Sequence, residues 1–302
     1  MTGDPDRMRI LVTGAAGMLG SDLCSVLRQA GNEVFPTDIS NERGTEYLDV
    51  RDKTSVNQHV QRMKPDLVMH LAAETDVDKC ELEPQHAFVT NTIGTQNVAL
   101  ACQAQACGVV YVSTIGVFDG EKTEPYEEWD TPNPINVYGR SKLEGEKIVS
   151  RLLSNHFIVR AGWMMGGGPT KDKKFVGKIV NQLAKGAKTL RAVDDKFGSP
   201  TYAEDFSQCL VDLIRSRRYG LYHCTSRGIA SRYEIAKRIV QELGKSDTEV
   251  LPVSSAHFPL PARRARSEAS RNRMLELLGM DKTRTWQEAL KAYIHASWIP
   301  QG

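Results

Sequence analysis

No Cys-x-x-Cys pair occurs in the chain, and no histidines flank its six cysteines (Cys24, Cys80, Cys102, Cys107, Cys209, Cys224) at zinc-ligand spacing. This argues against a structural metal centre, and no metal is expected. The cysteines read instead as buried thiols of a reducing compartment. Long apolar runs are missing too. None reaches membrane-spanning length, and the opening MTGDPDRMRI has no apolar signal core, so a cytoplasmic protein without a membrane partner is expected. An excess of charge of one sign is also absent. The 39 Lys and Arg against 37 Asp and Glu leave +2, too little to imply a nucleic-acid partner. The local exception is the basic run ARRARSEASRNR at Ala262–Arg273, which reads either as a solvated helical face or as an anion contact.

What is present is an alternation. The apolar runs RILVTG, EVFPTD, DLVMHLAA, GVVYVST and HFIVRAG read as strands. Between them stand amphipathic stretches, among them MLGSDLCSVLRQAG, PQHAFVTNTIGTQNVALACQAQACG and YGRSKLEGEKIVSRLL, which read as helices. Alternation of this length predicts an α/β fold with a Rossmann-type, doubly wound parallel sheet. After Arg160 the pattern changes, and WMMGGGPTKDKKF reads as a loop. The expected organisation is a dinucleotide-binding domain over 8–165, completed by about 200–226. A smaller substrate lobe over 166–199 and 227–302 would be interleaved with it.

Gly14, Gly17 and Gly20, with Met18 and Leu19 between them, form GAAGMLG between the first strand and the first helix. Glycines there let backbone approach a pyrophosphate, whose charge sits at the helix N-terminus. Asp38 ends the next strand, where a carboxylate can bind the adenosine ribose hydroxyls and repel a 2′-phosphate. NADH or NADPH is therefore the expected cofactor. Asp38 favours NAD, and Arg43 leaves NADP open.

Two Tyr-x-x-x-Lys pairs, Tyr138/Lys142 and Tyr233/Lys237, could each set a phenol beside a cation on one helical face. Context separates them. Upstream of Tyr138, the strand VVYVST ends in Ser113 and Thr114, and both hydroxyls are expected to point into the crevice at the carboxyl ends of the strands. Tyr233 has no such partner and reads as helix packing.

GAAGMLG, HLAA, VST and YGRSK in this order resemble the short-chain dehydrogenase/reductases in their extended branch. HLAAETDVDKCELEP, STIGVFDG, PYEEWDTPNPINVYGRSKLEGE, DDKFGSPTYAEDF and GLYHCTSRG are similar to the dTDP-4-dehydrorhamnose reductases over nearly the whole chain. The resemblance implies seven parallel strands and a sugar-nucleotide lobe. It also implies hydride transfer from NAD(P)H to the C4 ketone of a nucleotide-bound, dTDP-linked 6-deoxyhexose. By the same resemblance Tyr138 donates the proton, Lys142 lowers the phenol's pKa and binds the nicotinamide ribose, and Thr114 bonds the developing alkoxide. Asp49 and Val50 stand where the family holds the adenine. Leu71, Ala72 and Ala73 line the cofactor, and Asn91 lies on the helix behind it. Trp163 faces the sugar nucleotide, with Lys174 and Arg263 as further substrate contacts.

The chain also departs from that family. Ile115 and Gly116 replace an Asp-Tyr pair, whose tyrosine contacts the sugar, and RRARSE at Arg263–Glu268 replaces Arg-Pro-x-Asn-Ser. The expectation is therefore a kept reaction and a changed substrate. A sugar-nucleotide epimerase or dehydratase stays as an alternative, as does a non-catalytic regulatory subunit resembling that of methionine adenosyltransferase. A homodimer is left open.

Overall fold

The computed structural model describes residues 7–40, 42 and 44–299. Arg43, which bears on the choice of cofactor, lies outside them. The elements of the sheet half, in chain order, are strand β1 (Arg9–Thr13), helix α1 (Met18–Gln29), β2 (Glu33–Asp38), β3 (Glu46–Tyr47), α2 (Lys53–Met63) and β4 (Leu67–His70). Then come α3 (Val77–Leu82), α4 (Pro84–Phe88), α5 (Gly94–Gln105), β5 (Gly108–Thr114), α6 (Val137–Leu152) and β6 (His156–Ala161). The later part holds β7 (Trp163–Met165), α7 (Gly168–Lys171), α8 (Phe175–Ala184), β8 (Thr189–Val193), β9 (Phe197–Gly198) and β10 (Pro200–Tyr202). It continues with α9 (Ala203–Ser216), β11 (Gly220–His223), β12 (Ala230–Ser231), α10 (Arg232–Glu242), β13 (Glu249–Val253), β14 (Ser267–Glu268), α11 (Arg273–Leu277) and α12 (Trp286–Ser297).

Seven parallel strands form the main sheet, in the order β11-β6-β5-β4-β1-β2-β3. Strands buried on both faces read as near-continuous apolar runs, which is why β1 and β4 were legible. One face is covered through Leu19, Leu23 and Leu27 of α1 and Phe206, Leu210 and Ile214 of α9. The other is covered through Val56 and Val60 of α2, Val98 of α5 and Val149 of α6. A separate apolar cluster joins α8, α10 and α12 around Val176, Ile179, Ile239 and Leu290. Strand order reverses between β1 and β4, so the crevice for a ligand opens at their carboxyl ends.

Three local expectations change. The stretch expected as one helix from Pro84 onward contains a π-helical turn, Val89–Ile93, between α4 and α5. The glycine- and lysine-rich stretch after Arg160 is not all loop, because Trp163–Met165 pairs in parallel with Pro200–Tyr202. Most of the basic run is not a helical face. Ser267 and Glu268 pair with Phe197 and Gly198, and helix begins only at Arg273. Strand pairing with a distant segment overrode the local charge pattern.

Candidate active site

The glycine loop lies at the switch point. Gly14 has φ +73°, and a Cβ there would stand 2.7 Å from Ala72 N, so the β1 and β4 loops touch backbone to backbone. Gly20 is equally close-packed, since its Cβ would meet Gly14 O at 2.3 Å. Helix α1 begins behind Gly17 with no side-chain cap, which leaves its first N–H groups for an anion. Asp38 closes the far side of the loop, accepting from Ala16 N at 3.0 Å and Ser40 N at 2.8 Å. Bare backbone, an uncapped helix start and this carboxylate together fit a dinucleotide.

Beneath the crevice a hydroxyl relay fixes a neutral imidazole. Thr95 Oγ1 donates to Asn91 O at 2.6 Å, so it must accept from His70 Nε2 at 3.0 Å. His70 Nδ1 then accepts from Thr13 Oγ1 at 2.8 Å. Burial, and then the Lys142 charge, push the His70 pKa down to about 3, consistent with this tautomer. His70 stacks on Tyr111 with centroids 5.7 Å apart, and Lys142 Nζ lies 4.1 Å from the Tyr111 ring centroid.

Helix α6 carries Tyr138, Lys142 and Glu146 at successive turns of one face. Asn136 caps it, with Oδ1 accepting from Gly139 N at 2.8 Å. Helix and sheet approach closely at Gly145, where a Cβ would meet Tyr111 Oη at 2.2 Å. This contact sets the height of Tyr138 and Lys142 over the strand ends. Burial raises the Tyr138 pKa, and the Thr114 hydroxyl beside the phenol lowers it in part. Thr114 Oγ1 accepts from Gly116 N at 3.0 Å, so its own hydrogen is free to donate. Burial lowers the Lys142 pKa to about 7, with Glu146 opposing it.

Ser113 does not join Thr114 in the crevice. Successive strand residues face opposite ways, and Ser113 Oγ donates to Glu146 Oε1 at 2.5 Å inside the core. Arg160 completes that group, with Nε 2.9 Å from Glu146 Oε1 and one terminal nitrogen 2.7 Å from Oε2. Sequence reasoning missed Glu146 and Arg160, though the step of four residues from Tyr138 through Lys142 pointed to the glutamate.

Several expected cofactor and substrate residues have other partners. Both Asp49 oxygens are engaged by Arg51, at 2.9 and 2.6 Å, which holds the carboxyl below its usual range. Val50 is buried against Gly94. Leu71 N donates to Thr13 O at 3.1 Å and Ala72 N to Thr13 Oγ1 at 3.4 Å, while Ala73 continues the same half-buried loop. Asn91 is fully buried, accepting from Glu74 N at 2.8 Å and donating to Glu74 O and to Ser141 Oγ. It braces the β4 loop against α6 and has no surface to offer a ligand. Lys174 Nζ crosses to Thr75 O at 3.1 Å, and Arg263 is exposed, its carbonyl accepting from Asn136 Nδ2. Trp163 Nε1 donates to Glu268, a residue that sequence reasoning passed over as part of a basic run. In the other Tyr-x-x-x-Lys pair, Lys237 Nζ lies 5.3 Å from the Tyr233 ring centroid on a helix packed into the second cluster.

A family model described as RmlD substrate binding domain matches residues 8–298. The spore coat polysaccharide biosynthesis protein SpsK of Bacillus subtilis is 35% identical over 286 residues, covering 95% of this chain and 96% of SpsK. A dTDP-4-dehydrorhamnose reductase of Mycobacterium tuberculosis is 34% identical over 293 residues, covering 95% of this chain and 93% of the relative. The solved dTDP-4-dehydrorhamnose reductase of Bacillus anthracis in complex with NADP superposes with TM-score 0.90 at 35% identity, covering 96% of this chain and all of that one. None of the described helices is long and apolar enough to cross a membrane. The chain therefore belongs to the RmlD family, the dTDP-4-dehydrorhamnose reductase-like branch of the extended short-chain dehydrogenase/reductases.

Proposed function

We propose that the chain is an NAD(P)H-dependent oxidoreductase that reduces the 4-keto group of a nucleotide-activated, dTDP-linked 6-deoxyhexose. The observation that carries this reading is that Tyr138 and Lys142 stand one turn apart on α6, with the Thr114 hydroxyl close enough to lower the phenol's pKa, while the bare glycine loop lies against the β4 loop. Bound NAD(P)H supplies the hydride to C4. Thr114 donates a hydrogen bond to the carbonyl oxygen, and Tyr138 Oη gives that oxygen its proton. Lys142 stabilises the phenolate left behind and holds the nicotinamide ribose. Asp38 receives the adenosine ribose, and its charge favours NADH over NADPH. The α1 N-terminus takes the pyrophosphate. The lobe over 166–199 and 227–302 binds the sugar nucleotide, with Trp163 at the sugar. Ile115 and Gly116 follow Thr114, so the Asp-Glu pair that the dehydratase alternative requires is absent there. NAD(P)H oxidation against a panel of 4-keto nucleotide sugars tests the reading. Turnover with a dTDP-linked 4-keto-6-deoxyhexose is expected; no turnover with any of them, alongside stable capture of a partner enzyme, overturns it in favour of a regulatory subunit.

A further inference from the structure

Close to the reacting hydroxyls stands a carboxylate for which this mechanism has no use. Glu268 in β14 accepts from Trp163 Nε1 through Oε2. Its Oε1 has no hydrogen-bond partner among the described residues and lies 3.6 Å from where a Cβ on Gly116 would stand. That same Cβ position is 3.2 Å from Thr114 Oγ1, so Gly116 sits between the Glu268 carboxylate and the reacting threonine, where the lack of a side chain keeps the two from being crowded apart. Glu268 is near enough to Tyr138 for its charge to raise the phenol's pKa. Its backbone is pinned by pairing with Gly198, whose Cβ would stand 2.5 Å from the Trp163 indole. The Arg232 guanidinium lies 3.8 Å from the Trp163 ring centroid and 4.9 Å from that of Phe175. It pairs with no carboxylate among the described residues, so it supplies positive charge to this wall without consuming Oε1.

We propose that Glu268 is the specificity-determining residue of the sugar site. Its free oxygen accepts a hydrogen bond from a donor, hydroxyl or ammonium, on the ring carbon next to the C4 ketone, beside Gly116 and Thr114. The proposal rests on the reductase reading and deepens it. A ketone oxygen held by Thr114 and Tyr138 brings the neighbouring ring substituent to that position. A hydrogen bond to an ionised acceptor is about twice as strong as a neutral one. A site built around such an acceptor rejects an analogue that lacks the donor, because the acceptor is then desolvated without a partner.

The test compares wild type and Glu268→Gln with NAD(P)H bound. It reads kcat and KM for 4-keto nucleotide sugars bearing hydroxyl, amino or hydrogen at C3, and calorimetric Kd for the matching 4-hydroxy sugars. Glutamine can still accept from Trp163 through its amide oxygen. KM is expected to rise roughly 10- to 100-fold for the hydroxyl and amino sugars and to change little for the C3-deoxy sugar. A larger loss with the amine identifies ammonium as the donor, and a larger loss with the alcohol identifies hydroxyl. Gly116→Ala puts a methyl group between Thr114 and Glu268 with Glu268 intact and should show the same selectivity, so a folding defect in one variant leaves the other to decide. Equal effects on all three sugars overturn the proposal. Wild type that binds the sugar through Glu268 yet reduces none overturns the reductase reading alone. Reduction that Glu268→Gln leaves untouched overturns the role of Glu268 alone, and absence of both binding and turnover overturns both.

Discussion

Tyr138 and Tyr233 share a spacing to lysine, and their mutants separate proton transfer from packing. Tyr138→Phe removes only the phenol oxygen and keeps the ring. Its kcat is expected to fall by about two to four orders of magnitude with the NADH Kd unchanged, measured by stopped flow and fluorescence titration. Tyr233→Phe should remain close to wild type. At Lys142 the folded-state pKa of about 7 lies below the ordinary 10.5. The folded chain thus binds fewer protons than the unfolded one between those values, and stability rises with pH across that window. In the cofactor-free protein the urea midpoint should move up between pH 7 and pH 9, and Lys142→Met should lose that part of the rise. Asp38→Ala is expected to lower kcat/KM for NADH more than for NADPH, because a carboxylate that binds the ribose in the proposed way would also repel a phosphate.

Strand β5 and helix α6 are joined through buried polar groups. The Glu146–Arg160 pair is nearly inaccessible, with side chains 7% and 2% exposed, and Ser113 ties it to the strand that ends in Thr114. Breaking such a pair leaves an uncompensated charge in the core, so Arg160→Met should cost about 3–5 kcal/mol in urea unfolding. The double change Arg160→Met with Glu146→Leu should cost less than Arg160→Met alone. Gly145→Ala tests the same junction sterically. Its Cβ would fall 2.2 Å from Tyr111 Oη, so the helix must lift, with a loss of about 1–3 kcal/mol and a drop in kcat.

For the whole molecule, ligand binding and folding are linked, since only the closed crevice brings the β1, β2 and β4 loops together. NADH at about 100 times its Kd should add about 2.7 kcal/mol, read as a rise in Tm that Tyr138→Phe retains. The central strands of the main sheet were legible because they are buried on both faces and their helices are amphipathic, whereas the short exposed edge strand β3 was not read. Trp163–Met165, Ser267 and Glu268 were not legible as strands, because short strands in the second lobe owe their pairing to segments far away in the chain. Ser113 shows the same limit inside a well-read strand, where adjacency in sequence put it with Thr114 and the pleat turned it into the core.

The glycine loop, Asp38 and the step of four from Tyr138 to Lys142 are local patterns, and they sufficed to predict the dinucleotide fold and to single out Tyr138 as the candidate proton donor. Chain-distant contacts assigned the remaining roles. Asn91 became a brace once Glu74 and Ser141 filled its hydrogen-bonding capacity, and Lys174 reached Thr75 across the crevice. Glu268 came to lie against Trp163 because β14 pairs with β9, with 69 residues between Gly198 and Glu268 in the chain. Backbone periodicity is written within a few turns of chain, whereas the surroundings of a carboxylate depend on which distant strand lies beside it.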